Sequence, residues 1–233
     1  MGPDVAGIIV EPVQGEGGVI PAPDGFLAEL HAIALRHGAL LLVDEVQTGV
    51  GRTGTFLACE RHGVAPDAVT LAKGLGGGFP IGAMLCREKL ATALPPGMHG
   101  CTFGGNPLAS AAALTVLAVM DDEHLVEGAQ AKGDHLGRAL AALCARHADV
   151  AGPERGSGLL RAVPIKGGVS VGTVLVRMRE RGVLLTLSGD DAIRWSPPLV
   201  VTTEQMDEAV AIFGEVLKAE ARALGAAAKE ARG

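Results

Sequence analysis

The sequence has 233 residues, 48% hydrophobic and 3% aromatic, with 20 basic against 26 acidic side chains and a formal net charge of -6. That length allows one large or two small domains with real cores. The acidic balance, with no run of Lys or Arg among aromatics, argues against nucleic acid or an anionic membrane as partner.

Val5 to Val10 reads as a short apolar strand. Asp24 is expected to N-cap a helix with Phe26, Leu27, Leu30, Ile33 and Ala34 at helical spacing and Gly38 as its stop. Ala39 to Val43 is a continuous apolar run of the kind buried on both faces, and strand-helix-strand with such runs predicts a parallel sheet covered by helices. Ala68 to Leu71 and Ile81 to Cys86 add further strands. Pro107 opens an Ala-rich helix whose apolar stretch, Leu108 to Met120, is thirteen residues long, too short for a bilayer and expected to be buried. Glu123 to His147 predicts a second, more polar helix. Beyond Gly152-Pro153, short strands at Gly158 to Pro164, Gly182 to Leu187 and Ala192 to Ser196, mixed with helices, predict an α+β lobe. Thr202 to about Gly225 is helical: Thr202 and Gln205 have capping-box spacing, and Met206, Val210, Phe213 and Leu217 make one apolar stripe. The Ala/Glu/Lys tail after it is expected to fray.

The start of the chain has no signal-peptide pattern. The four cysteines, Cys59, Cys86, Cys101 and Cys144, lack CxxC spacing and read as free, mostly buried thiols of a reducing cytoplasm. The seven histidines show no metal-ligand spacing, so no metal is expected.

Chemistry gathers at strand ends. In open parallel sheets functional groups lie beyond the carboxyl ends of the strands. Asp44 and Glu45 end one apolar run, Glu11 closes the run from Val5, and Lys73 follows Leu71. A strand ending in Asp-Glu also resembles a Walker B strand, but the GxxxxGK[ST] phosphate loop of that class is missing from the sequence. The plain structural alternative has Asp44 capping a turn and Glu45 facing solvent, with Lys73 a solvated loop residue. Against it stands the setting of Lys73 in TLAKGLGGGFP, directly after a strand and before glycines that permit close backbone approach. A carboxylate and a lysine at one sheet edge match the needs of pyridoxal phosphate, which forms a Schiff base with a lysine and requires an acidic partner on its pyridine nitrogen.

Five segments carry a resemblance along the whole chain: EPVQGEGG (Glu11 to Gly18), LLLVDEVQTGVGRTG (Leu40 to Gly54), TLAKGLGGGFPIGA (Thr70 to Ala83), HGCTFGGNPLA (His99 to Ala109) and IRWSPPLVVT (Ile193 to Thr202). Together they resemble the class III (ornithine-type) aminotransferases of pyridoxal-phosphate fold type I, and GVGRTG with HGxTFGGNPLA looks most like the acetylornithine members. The resemblance implies an α/β fold: a partial large domain with a mostly parallel sheet over residues 1–122, then a small C-terminal α+β domain over residues 123–233. It implies pyridoxal 5′-phosphate as cofactor and a Schiff base on Lys73. Asp44 matches the partner of the pyridine nitrogen, Val46 the residue packed on a ring face, and Gln47 the donor to the phenolic oxygen. Thr102 matches a threonine that binds the phosphate of a neighbouring subunit, which implies a homodimer. Arg194 matches the arginine that grips the substrate α-carboxylate, and Glu16 a glutamate that pairs with that arginine and releases it. Glu11 and Glu45 look like supporting residues. The implied substrates are an ω-amino acid such as N-acetylornithine, ornithine or 4-aminobutyrate, and 2-oxoglutarate, handled in the cytoplasm.

Cys101, Trp195 and Ser196 depart from the family pattern. The family's N-terminal lobe, first sheet strands, phosphate loop and ring-stacking aromatic lie upstream of the EPVQGEGG segment. The chain is therefore expected to be roughly the C-terminal three-fifths of such an enzyme, with an exposed sheet edge and apolar surface. Two readings follow: an aminotransferase, alone or completed by another chain, and a truncated, catalytically silent remnant that acts only in association with a partner.

Overall fold

The computed structural model describes residues 2 and 4–230, with the side chains of the last helix described as far as Ala226. In chain order the elements are β1 (Gly7–Val10), β2 (Val13–Gln14), β3 (Ile20–Pro21), α1 (Phe26–Arg36), β4 (Leu40–Asp44), β5 (Ala68–Leu71), β6 (Ala83–Cys86), α2 (Pro107–Asp122) and α3 (Leu125–Arg146). They continue with β7 (Arg155–Ser157), β8 (Leu160–Pro164), α4 (Val171–Glu180), β9 (Thr186–Ser188), β10 (Ala192–Trp195) and α5 (Thr203–Glu230). The chain forms two compact units, one from Met1–Val13 with Ala22–Gly128, the other from Gln14–Pro21 with Ala129–Gly233.

In the first unit the sheet order is β1-β4-β5-β6. β4 pairs in parallel with both β1 and β5, while β6 runs antiparallel to β5. The alternation of β4 decides which side chains meet the core: Leu41 and Val43 pack with Leu27 and Ala34 of α1, whereas Leu40 and Leu42 are only half-buried. Burial on both faces, expected from the run of apolar residues, is thus not what β4 shows, because the helix packed on it covers one face. α1 starts at Gly25, which holds φ 81 and makes no side-chain cap bond, so the expected cap at Asp24 is not formed. Its other end follows the sequence signal. Gly38 takes φ 66, the Ala39 amide donates to Ala34 O at 2.9 Å, and the Gly38 amide donates to Leu35 O at 3.3 Å, the paired bonds of a left-handed glycine stop.

α2 begins as its sequence demands, with Asn106 accepting from the Ala109 amide at 3.0 Å and Pro107 at the first helical position. Its burial does not follow the expectation. Ala109, Ala113 and Met120 are buried, but Leu108 and Leu114 remain 65% and 68% exposed. Every residue of β6 is exposed as well. An apolar helix is buried only on the sides that find partners, and on α2 Ala109, Ala113 and Met120 mark the side that does.

The second unit is built on an antiparallel sheet, β7-β8-β10-β9. α3, α4 and α5 supply its core, in which Leu136, Leu140, Met178, Ile193, Phe213 and Leu217 are fully buried. Trp195 meets Phe213 edge to face, with ring centroids 5.4 Å apart. The run predicted as one strand from Gly158 to Pro164 is instead the end of a β7–β8 hairpin that turns at Gly158 (φ 53). β9 is shorter than Gly182 to Leu187 suggested, because Gly182 at φ 84 terminates α4 rather than starting a strand. α5 carries the expected capping box: the Gln205 amide donates to Thr202 Oγ1 at 3.3 Å and the Thr202 amide to Gln205 Oε1 at 3.0 Å. The helix continues through the tail expected to fray, as far as Glu230; the last three residues lie outside the described residues. No described helix is long and apolar enough to cross a membrane.

Candidate functional site

Within the first unit, β4 and β5 are adjacent parallel strands whose register sets Asp44 beside Thr70. The Asp44 carboxylate, half-buried, accepts from the Val46 amide at 2.9 Å and from Thr70 Oγ1 at 3.2 Å. Both bonds fall on Oδ1; Oδ2 carries neither. Three residues beyond Thr70, Lys73 opens a 3-10 turn, Lys73–Gly76, with φ 45. A left-handed lysine is strained unless its surroundings over-determine it, and such strain concentrates at functional sites. The surroundings here are tight: a Cβ on Gly76 would come within 2.8 Å of Ile81, and one on Gly77 (φ 59) within 2.8 Å of Val116 on α2. Neighbouring strands lie about 4.8 Å apart. The chain thus brings a carboxylate and a lysine to the carboxyl ends of two adjoining strands.

The loop after Asp44 is also constrained. Val46 and Gln47 are half-buried, and Val50, a buried β-branched residue, holds φ 56. Gly49 has no room for a side chain: a Cβ would sit 2.7 Å from Leu71 and 2.9 Å from the Glu45 carbonyl. Glu45, offered by the plain structural alternative as a solvent-facing residue, is instead 1% exposed. It accepts from the amides of Ala58 at 3.0 Å and Cys59 at 2.8 Å and from the Thr48 hydroxyl, closing the loop upon itself. Burial, and then the charge of Glu45, push the Cys59 thiol up to about 12. Of the four free thiols, Cys59 and Cys144 are buried and Cys86 and Cys101 exposed, fewer buried than expected. Glu11 is half-buried just past β1, and Thr102 is exposed on the loop leading into α2.

In the second unit, Arg194 on β10 reaches Glu16 Oε1 through Nη1 at 2.8 Å. Its Nε donates to Thr186 Oγ1 at 3.0 Å, and Nη1 also reaches the Gly15 carbonyl at 3.2 Å. The Arg194 side chain is 14% exposed and that of Glu16 68%. Glu16 belongs to this unit because its loop is stitched to β9 and β7, although more than a hundred residues separate them.

Sequence reasoning missed Thr70, Thr186 and Ser188. Thr70 was open to discovery, since parallel pairing of the two strands sets it beside Asp44. Thr186 and Ser188 gave no local signal, because their partners come from the far end of the chain.

The donor set of the first unit suits a pyridine ring: a half-buried carboxylate with one oxygen uncommitted to either bond above, an amide in Gln47, an apolar Val46, and a lysine at the next strand end. Among the described residues no group of three or more His, Cys, Asp or Glu side chains is placed to hold a metal ion.

Comparisons with known proteins show the family. A family model described as Aminotransferase class-III matches residues 1–217. The acetylornithine aminotransferase of Corynebacterium efficiens is 47% identical over 214 residues, 92% of this chain and 52% of that protein. A succinylornithine transaminase of Yersinia pseudotuberculosis is 45% identical over 88% of this chain and 50% of its own length. Among solved structures, the ornithine aminotransferase of Toxoplasma gondii, crystallised with oxidised glutathione and with partial occupancy of PLP at its active site, aligns at a TM-score of 0.91 and 36% identity, over 96% of this chain and 53% of that one. The acetylornithine aminotransferase of Elizabethkingia anophelis aligns at 0.86 and 37% identity, over 92% and 57%. The chain spans about half the length of the curated relatives it matches. With nine-tenths of its residues aligned to such relatives, the chain belongs to the class III aminotransferases.

Proposed function

We propose that this chain carries the lysine-bearing part of a pyridoxal 5′-phosphate-dependent aminotransferase that moves an amino group between an ω-amino acid, N-acetylornithine in the first place, and 2-oxoglutarate. The observation that carries this reading is the departure of Asp44 and Lys73 from the carboxyl ends of adjacent parallel strands. Pyridoxal phosphate, when bound, supplies an electron-accepting ring that stores the amino group between donor and acceptor. Asp44 is the residue to keep a proton on the ring nitrogen, and Thr70 and the Val46 amide hold its Oδ1 in place for that. Val46 supplies apolar contact with a ring face, and Gln47 a donor for the phenolic oxygen. Lys73 Nζ is the point of covalent attachment and afterwards the carrier of the proton, and its strained backbone fixes the origin of the side chain.

Arg194 is suited to an α-carboxylate, because a guanidinium offers paired donors to two oxygens. Glu16 occupies it in the absence of substrate and yields to an incoming carboxylate. Thr102, exposed on its loop, is assigned to the cofactor phosphate of a second copy, so the working form is a homodimer. The setting is the cytoplasm, where the exposed thiols of Cys86 and Cys101 stay reduced. A second reading, in which the chain works only in association with another chain, is favoured by the apolar surface of β6 and α2, where Met84 and Leu85 are each 52% exposed and Leu114 is 68% exposed.

The test is covalent. The purified chain is incubated with pyridoxal phosphate, reduced with borohydride and digested, and the pyridoxyl mass is sought on the peptide containing Lys73. Label on Lys73 that is lost in Lys73→Ala and weakened in Asp44→Asn is expected. Absence of label, or label scattered over other lysines, refutes independent cofactor binding; label that appears only after mixing with a full-length relative supports the second reading.

A further inference from the structure

The loop QGEGG, residues 14–18, has few side chains of its own to anchor it, yet its backbone is held from outside at Gly15, Glu16 and Gly18. Ser188, 2% exposed on β9, donates its hydroxyl to the Gly15 carbonyl at 2.7 Å and accepts from the Gly18 amide at 3.0 Å. The next residue, Gly189, donates its amide to the Glu16 carbonyl at 2.7 Å. Arg155 Nε donates to the Gly18 carbonyl at 2.8 Å, and a Cβ on Gly18 (φ 113) would lie 2.7 Å from that guanidinium. Against this fixed backbone, the Glu16 side chain is mostly in water and makes a weak class of contact, an ion pair exposed on one side.

We propose that Ser188 is a positioning residue for the Arg194–Glu16 pair: it clamps the loop to β9 so that only the Glu16 side chain has to rotate for Arg194 to meet a carboxylate ligand. The proposal rests on the reading of Arg194 as a carboxylate site. Buried hydrogen bonds are costly to leave unmade, so the loop backbone stays while the exposed pair opens. Held this way, Glu16 competes with any incoming carboxylate at a high effective concentration. Loosening the loop lowers that concentration, and the ligand gains. Thr186 retains Arg194 Nε throughout, which keeps the guanidinium aimed when Glu16 has left.

Two measurements test this. Trp195 is the only tryptophan of the chain and directly follows Arg194, so its fluorescence reports binding of glutarate as a dicarboxylate probe. Ser188→Ala is expected to tighten glutarate about fivefold, the equivalent of one buried hydrogen bond. Glu16→Ala is expected to tighten it further, and Ser188→Ala added to Glu16→Ala to change it by less than about twofold, since in that background the serine reaches Arg194 only through the long bond of the Gly15 carbonyl. An unchanged or weakened affinity in Ser188→Ala, or the same shift in both backgrounds, overturns the proposal. Hydrogen exchange gives a readout independent of ligand: peptides spanning residues 14–21 are expected to exchange at least about tenfold faster in Ser188→Ala and at the parent rate in Ser188→Thr. Unchanged exchange in Ser188→Ala overturns the clamp. Accelerated exchange with no glutarate response in the parent, Glu16→Ala or Arg194→Ala chains keeps the clamp and removes the carboxylate reading instead. Should Ser188→Ala fail to fold, Ser188→Cys, a poorer donor, is read in both assays with smaller shifts expected in the same directions.

Discussion

Replacing Glu45 by Ala should cripple the first unit without touching any residue assigned to the cofactor. The carboxylate is 1% exposed and accepts three hydrogen bonds, from the Ala58 and Cys59 amides and the Thr48 hydroxyl. Truncation leaves all three donors buried without that acceptor. At roughly 1.5 kcal/mol for each buried group left unpaired, the loss is about 4–5 kcal/mol, roughly a quarter or more of the ~5–15 kcal/mol that holds an ordinary domain together. With a urea slope of about 2 kcal/mol/M, the unfolding midpoint should fall by about 2 M. Glu45→Gln keeps one acceptor oxygen and should lose about half as much. The assay is pulsed alkylation of Cys59 across a urea series, read by mass spectrometry, because this thiol lies under the same carboxylate and is shielded until the unit opens. Trp195 fluorescence follows the second unit in the same samples. A midpoint drop below about 0.5 M in Glu45→Ala would show that the three bonds have ready substitutes and that the loop does not depend on them.

Thiol chemistry separates the cysteines in the same way. Burial first, and nearby Glu45 or Glu154 second, raise Cys59 to about 12 and Cys144 to about 11, while Cys86 and Cys101 are exposed. A thiol-disulfide reagent at pH 8 is therefore expected to titrate two groups quickly and the other two only in denaturant; rapid reaction of three or four refutes the burial argument. Asp67 tests the acid limb. Burial alone would raise its carboxyl, but the 2.6 Å ion pair with Lys89 and the Leu41 amide at 2.9 Å outweigh it and leave the group below its ordinary 3.8. A lowered carboxylate contributes stability that is present above the unfolded value and lost as pH falls through the folded one. Asp67→Asn should destabilise the first unit at pH 7 and flatten the decline in urea midpoint between about pH 5 and pH 2; an unchanged decline would assign it to other carboxylates.

What could be read from the chain divides by distance. The helix stop at Gly38, the capping box of Thr202 and Gln205, and the Pro107 start were legible because each is decided within a few residues. Strands β4 and β5 were legible as apolar runs, but the coverage of β4 on one face was not, since burial depends on what packs there. The assignment of α2 to the interior failed for the same reason: thirteen apolar residues describe a preference for burial, and partners decide how much of it is met. At the candidate site, Asp44 and Lys73 stood out because charge at the end of an oily strand is costly without a use. Ser188 did not, because a serine before a glycine looks like any turn until Gly15 and Gly18 arrive from 170 residues away.

The alternation of β4 explains why two neighbouring carboxylates have separate work. Successive side chains of a strand point to opposite faces, so Glu45 continues the row of Leu41 and Val43 into the core, and Asp44 continues the row of Leu40 and Leu42. The Glu45 amide still donates to Thr70 O at 3.0 Å, keeping the strand direction one residue beyond β4. On the core side a charge survives only with full hydrogen bonding, and Ala58, Cys59 and Thr48 provide it. On the other side Asp44 is only half-buried, and its two bonds engage a single oxygen. Pleat and register together therefore make Glu45 the anchor of the loop and leave Asp44 with an oxygen that takes part in neither of its two bonds. A one-residue slip of β4 against β5 would exchange those roles, and the burial of Leu41 and Val43 on the core face is what prevents it.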